Sequence, residues 1–144
     1  MAITYHTENV PLPKLLKKRL INQWIKGIAS IHNKRAKNIQ YIFCNNAQIL
    51  ELNRQFLKHD FFTDVITFDY SENDRLNADI YISLDMVTNN AGIYNTPFYE
   101  ELYRVMIHGI LHLCGFKDKT VKEKKQMKKE ENQALEILCS KIEL

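Results

Sequence analysis

Two histidines four residues apart, His108 and His112, stand in the apolar run IHGILHLCGF, a spacing that sets both imidazoles on one face of a helix. Gly115 follows where a helix can leave through a left-handed residue, and Asp118 follows three residues further on. A turn at the glycine folds that carboxylate back towards the two imidazoles. Two nitrogens and one oxygen are three of the four ligands of a tetrahedral zinc ion, and an open fourth position distinguishes a catalytic zinc from a structural one. Water at that position is acidified into a nucleophile near neutral pH. His108, His112 and Asp118 therefore read as the ligands of one zinc ion in a metallohydrolase. Helix-face histidines that merely hydrogen-bond to neighbours show the first half of this pattern too, and the glycine and aspartate set it apart. Zinc proteases place a glutamate directly after the first histidine as general base, and Gly109 stands there instead, which disfavours peptidase chemistry. No other residue is marked as the base. Asp64, Asp79 and Asp85 read equally as caps and turn contacts, and attack by a substrate's own 2′-hydroxyl is as open as attack by water.

These residues need a frame. Thr96 and Pro97 open the helix that runs through His112, and a short helix starting at Ser83 or Asp85 precedes it, reaching about Ala91. MAITYH alternates weakly, as an edge strand does. Pro11 and Pro13 introduce an amphipathic helix over about 13–29, with Leu16, Leu20, Ile21, Trp24, Ile25 and Ile28 on one face. NIQYIFC (38–44) reads as a strand, and Asn45 or Asn46 caps a helix carrying Ile49, Leu50, Leu52, Asn53, Phe56 and Leu57. DVITFDY (64–70) and ADIYISLD (78–85) are strand-like runs that neighbour one another in one sheet, separated by polar SENDRLN. A lysine-rich helix follows from Val121, with Met127, Leu135, Ile137 and Leu138 as its apolar positions.

The totals agree with one domain over 1–144: 144 residues, 45% of them hydrophobic, with 4 Gly and 3 Pro, are enough for a core. No apolar run reaches the roughly 20 residues of a membrane helix, and MAITYHTENV lacks the layout of a signal peptide, so a cytoplasmic protein with no membrane partner is expected. Cys44, Cys114 and Cys139 form neither an even set nor a C-x-x-C pair and read as reduced, mostly buried thiols. The net charge of +3 is unevenly spread, with seven lysines from Lys117 to Lys129 against Asp118 and Glu123. Such a run neutralises phosphates or simply forms a solvated helix face, the commoner case for KEKKQMKKEE.

HGILHLCGFKD resembles the signature H-G-x-L-H-L-x-G-[YF]-D-H of the YbeY-type single-strand-specific endoribonucleases of ribosomal RNA maturation. Leu52-Asn53, Thr63-Asp64-Val65-Ile66-Thr67-Phe68 and Asp79-Ile80-Tyr81-Ile82-Ser83 are similar, in order, to that family's L-N, T-D-V-L-S-F and D-I-x-I-S blocks, so the resemblance covers about 39–138. It implies an α+β fold with a small mixed sheet of about four strands flanked by helices, a zincin-like metal helix, one zinc ion and a basic cleft for RNA. It further implies action on single-stranded ribosomal RNA at the ribosome, especially at the 3′ end of the 16S RNA, and a part in ribosome quality control. Arg104, Lys117, Lys119 and Lys58 are the candidate RNA-binding cations, and Tyr81, Phe68 and Phe116 either stack on bases or pack the core.

This chain leaves the family pattern at two places. Asp118 stands where the third metal histidine is usual, with Lys117 before it in place of an aspartate, which lowers the net charge at the metal and makes bound water less acidic. The family's arginine after the L-N pair falls at Leu57, with Lys58 next to it. Two other readings therefore stay open: a ribosome-associated zinc-binding factor with little or no catalysis, and a metallopeptidase-like hydrolase.

Overall fold

The computed structural model describes residues 2–57 and 63–141, and Lys58 lies outside them. Four strands, β1 (Ala2–Thr7), β2 (Arg35–Cys44), β3 (Val65–Asp69) and β4 (Arg75–Ser83), form one sheet in the order β1-β2-β4-β3. β1 and β2 run parallel, as do β2 and β4, while β3 and β4 form an antiparallel hairpin, so the sheet is mixed and the fold α+β, as expected. The hairpin loop is shorter than the polar segment suggested, because Glu72 and Arg75 exchange backbone hydrogen bonds and Arg75 to Asn77 already belong to β4.

Helix α1 (Lys18–Ile31) starts five residues later than the prolines suggest. Leu16 N–H bonds to Pro13 C=O and Lys18 N–H to Leu16 C=O, closing turns before the helix begins. Asn45 caps α2 (Asn46–Leu52) in a reciprocal box with Gln48, after which the chain loosens into a π-helical turn, Asn53–Leu57. The side chain of Ser83 accepts from Met86 N–H and starts α3 (Leu84–Tyr94), which ends on left-handed Asn95. Helices α4 (Phe98–Leu113) and α5 (Val121–Cys139) complete the fold.

The main core lies between one sheet face and helices α1, α4 and α5. Ile39, Tyr41 and Phe43 of β2 alternate inwards with Leu76, Ala78, Ile80 and Ile82 of β4. Two polar side chains fasten this layer: Tyr41 Oη donates to Met106 C=O of α4, 3.0 Å, and Trp24 Nε1 of α1 donates to Ala134 C=O of α5, 2.8 Å. A smaller cluster of Cys44, Ile49 and Ile66 lies beneath α2, with Phe68 and Tyr81 against it. Phe68 meets Phe56 and Tyr81 edge to face at 5.5 and 5.8 Å, and Phe116 meets His32 at 5.0 Å, so all three aromatic candidates for base stacking already have ring partners. All three cysteines are free, but only Cys44 is buried: Cys114 is half-buried, and Cys139 is exposed because it follows buried Leu138 onto the outer face of α5.

Candidate metal centre and its cleft

Helix α4 lies flat on the sheet because position 109 has no side chain. A Cβ there would sit 3.1 Å from Ile80 Cδ1 and 3.2 Å from Thr67 Oγ1. The residue after His108 thus faces the sheet, and a glutamate there has no room to act as a base. A flanking face of α4, about a quarter-turn round from Gly109, carries Glu101, Arg104, His108 and His112 at helical spacing.

Asp118 is brought back by two adjacent caps. Gly115 (φ +105°) ends α4 in a Schellman motif, in which Phe116 N–H bonds to Leu111 C=O and Gly115 N–H to His112 C=O, each 3.0 Å. Five residues on, Thr120 opens α5 with a capping box: its hydroxyl accepts from Glu123 N–H at 3.1 Å, and Glu123 Oε1 accepts from Thr120 N–H at 2.9 Å and Lys119 N–H at 3.2 Å. Those backbone N–H groups, Thr120's first, hold the Glu123 carboxyl below its ordinary pKa. The segment carrying Asp118 is thereby fixed at both ends.

The result is a compact donor set. Asp118 Oδ2 lies 3.3 Å from His108 Nε2 and 3.4 Å from His112 Nε2, and one ligand atom from each residue lies within 4.8 Å of the others. Two atoms each about 2.0 Å from a tetrahedral ion are about 3.3 Å apart, so this spacing fits a shared metal. His108 Nδ1–H donates to Glu131 Oε2 at 2.6 Å, which leaves Nε2 of that ring free to ligate. Glu131 is buried, and its other oxygen accepts from Arg104 Nη1 at 2.9 Å, while Arg104 Nη2 donates to Asn132 at 2.8 Å. Burial alone would lower the pKa of His108, but the hydrogen bond and charge of Glu131, with Asp64 and Asp118, raise it on balance.

Beside the metal site lies a cleft of about 650 Å³ running between α3, α4 and α5, with His108, Asp118 and Glu131 at one end. Asp64, whose backbone C=O accepts from Ser83 N–H, lines it and accepts from Asn90 Nδ2 at 3.2 Å. Burial raises its carboxyl pKa against the pull of His108. Glu101 also lines the cleft, and burial, only partly offset by Arg104, pushes its carboxyl up to about 7.

Of the sequence candidates, His108, His112 and Asp118 come together. Arg104 lines the cleft with its guanidinium engaged by Glu131 and Asn132, whereas Lys117 and Lys119 are exposed on either side of Asp118. Asp85 accepts from Asn46 N–H at 2.9 Å, a contact between α3 and α2 away from the cleft. Sequence reading missed Glu131 and Glu101. Glu131 falls on the stripe of Met127, Ala134, Leu135 and Leu138, and Glu101 on the stripe of the histidines. A carboxylate inside an apolar or functional stripe was the available signal.

Fold and donor set together define a class: α+β proteins in which one helix and the turn after it form a three-residue site able to hold a metal ion. The model of the family "Endoribonuclease YbeY" matches residues 2–139. Proteins of that name from Bacteroides fragilis and Parabacteroides distasonis are 53% and 49% identical to the chain, covering 94% and 96% of it and 96% of each relative. A Thermotoga maritima protein solved in solution is similar in structure, with a TM-score of 0.67 and 29% identity over 97% of this chain and 91% of that one. The chain belongs to the endoribonuclease YbeY family.

Proposed function

We propose that the chain is a zinc-dependent endoribonuclease of single-stranded RNA that works as one domain in the cytoplasm. Its substrate is ribosomal RNA on or from the ribosome, with the 3′ end of the 16S RNA as the principal target, and the same activity serves ribosome quality control. One observation carries this reading: His108, His112 and Asp118 meet at metal-ligand spacing in a chain whose relatives are named for cutting RNA internally. None of the described helices is long and apolar enough to cross a membrane.

His108 and His112 would hold the ion through Nε2 and Asp118 through a carboxylate oxygen. Bound there, zinc supplies a Lewis acid for a phosphoryl oxygen and lowers the pKa of water. Glu131 keeps His108 in the tautomer with Nε2 free, and Arg104 holds Glu131 in place, so this arginine acts on the ligand rather than on RNA. Cations for phosphate come instead from Lys117, Lys119, Lys124 and Lys128, the last two lining the cleft. Asp118 in place of a histidine leaves less net charge to polarise the phosphate, and the deficit falls on the rate rather than on the fold.

Incubation of zinc-loaded protein with single-stranded RNA, beside an Asp118→Ala variant, tests the reading. Cleavage by the parent that is lost in the variant is expected. Equal traces in both would mark a contaminating nuclease, and zinc and ribosome binding without cleavage would leave a binding factor.

A further inference from the structure

The cleft beside the metal site holds two polar groups with nothing to bind. Glu101 is 5% exposed, and its carboxylate takes part in no hydrogen bond or ion pair among the described residues. Thr96 Oγ1, at the turn into α4, is buried and likewise unpartnered. A buried hydroxyl without a partner is uncommon, and beside a carboxylate that the protein leaves unpaired and open to the cleft it marks the place of a ligand. Glu131 and Arg104 hold each other, and Asn90 donates to Asp64, so these four lining groups are in use. Tyr94 lines the same cleft, is 66% exposed and meets no other ring among the described residues.

Resting on the ribonuclease reading of the adjoining site, we propose that this cleft is a nucleoside subsite that takes one unstacked guanine, with Tyr94 as its stacking platform and Glu101 accepting from its Watson–Crick edge. The cavity volume is in the range of small-ligand sites, and one end opens on His108 and Asp118, so the base belongs to a nucleotide next to the bond being cut. Lys124 and Lys128 line the same cleft and are placed for the phosphates. Single-stranded RNA is read in this way, by splaying out a base, stacking it on an aromatic ring and bonding its exposed edge.

The choice of base follows from the acceptors. An ionised carboxylate only accepts hydrogen bonds, through two adjacent oxygens. Guanine offers N1–H and N2–H side by side, matching both. Adenine and cytosine offer an amine beside a ring nitrogen that is itself an acceptor, and uracil offers one N–H between two carbonyls. At pH 8 Glu101 is mostly ionised, so discrimination is read there.

Calorimetric titration of the zinc-loaded protein at pH 8 with guanosine, adenosine, cytidine and uridine 5′-monophosphates is the test. Guanosine monophosphate is expected to bind about five-fold or more tightly than each of the others. Glu101→Gln removes that preference without changing zinc content or lowering the melting temperature, and Tyr94→Ala weakens all four nucleotides about five-fold or more. Equal affinities, no binding, or a guanine preference that survives Glu101→Gln would overturn the proposal. Cleavage of oligouridylate carrying a single guanosine is scored separately. If the preference holds while no RNA is cut, the subsite stands and the ribonuclease reading falls; if RNA is cut without any nucleotide preference, the reverse is true.

Discussion

Glu131 is no member of the candidate donor set but bears on it through a 2.6 Å hydrogen bond to His108 Nδ1. Glu131→Gln keeps the shape but weakens that bond, and zinc affinity measured by chelator competition is expected to fall about 10- to 100-fold, with the fold retained. An affinity unchanged from the parent would leave Glu131 a purely structural partner of Arg104. Gly109 makes the opposite kind of contribution, by absence. Gly109→Glu forces a carboxylate against Ile80 and Thr67 and is expected to cost about 3 kcal/mol or more in urea unfolding, without any gain of peptidase activity. At this scale the grouping of the three candidate donors was legible, because His108, His112 and Asp118 lie within one turn-separated stretch whose spacing reports its own geometry. Glu131 and Glu101 were not, because their partners come from other elements and a carboxylate in a charged sequence reads as solvated until packing places it.

Among the elements, the turn between α4 and α5 carries most of the site's precision. It is held by the Schellman motif at Gly115 and the capping box at Thr120, with Asp118 between them. Thr120→Ala removes one side of the box and is expected to cost about 1 kcal/mol of stability and to loosen zinc binding at the same time. Thermal melts with and without zinc check both effects, and lost stability with unchanged zinc affinity would detach the cap from the site. The cap at Gly115 was readable from its place after the histidines, as was Ser83 before α3, whereas the Thr120 box was not read from the sequence. The start of α1 was not, because residues 13–16 close a turn that competes with the first helical turn, and propensity does not arbitrate between them. The pairing of β3 with β4 followed from adjacent strand-like runs, whereas the parallel placement of β1 against β2 depends on α1 crossing the sheet and has no local signal.

Charge of both signs meets at the cleft, where Asp64, Glu101, Asp118 and Glu131 stand with Arg104, Lys124 and Lys128, and Lys117 and Lys119 are exposed beside Asp118. Exposed lysines predict RNA binding that weakens steeply with salt, read as the slope of affinity against salt concentration. Burial of Glu101 predicts a pH effect on stability. Burial, opposed by Arg104 on α4 and helped by Asp64 before β3, Glu131 on α5 and Glu100, raises its carboxyl pKa from 4.5 to about 7, so the folded state binds the proton more tightly than the unfolded one. Stability contributed by this group is present below pH 4.5 and is lost as pH rises through 7. Glu101→Gln removes that slope and, in zinc-free protein, is expected to be more stable than the parent at pH 8, relative to pH 4.5, by on the order of 1–3 kcal/mol. Identical pH profiles for the two proteins would contradict it.

Elemental analysis of protein purified without chelator tests most directly whether His108, His112 and Asp118 hold one zinc ion. About one zinc per chain is expected, falling to near zero in His112→Ala while the variant remains folded by circular dichroism. A folded, metal-free parent, or zinc that stays at the same stoichiometry in His112→Ala, would contradict it.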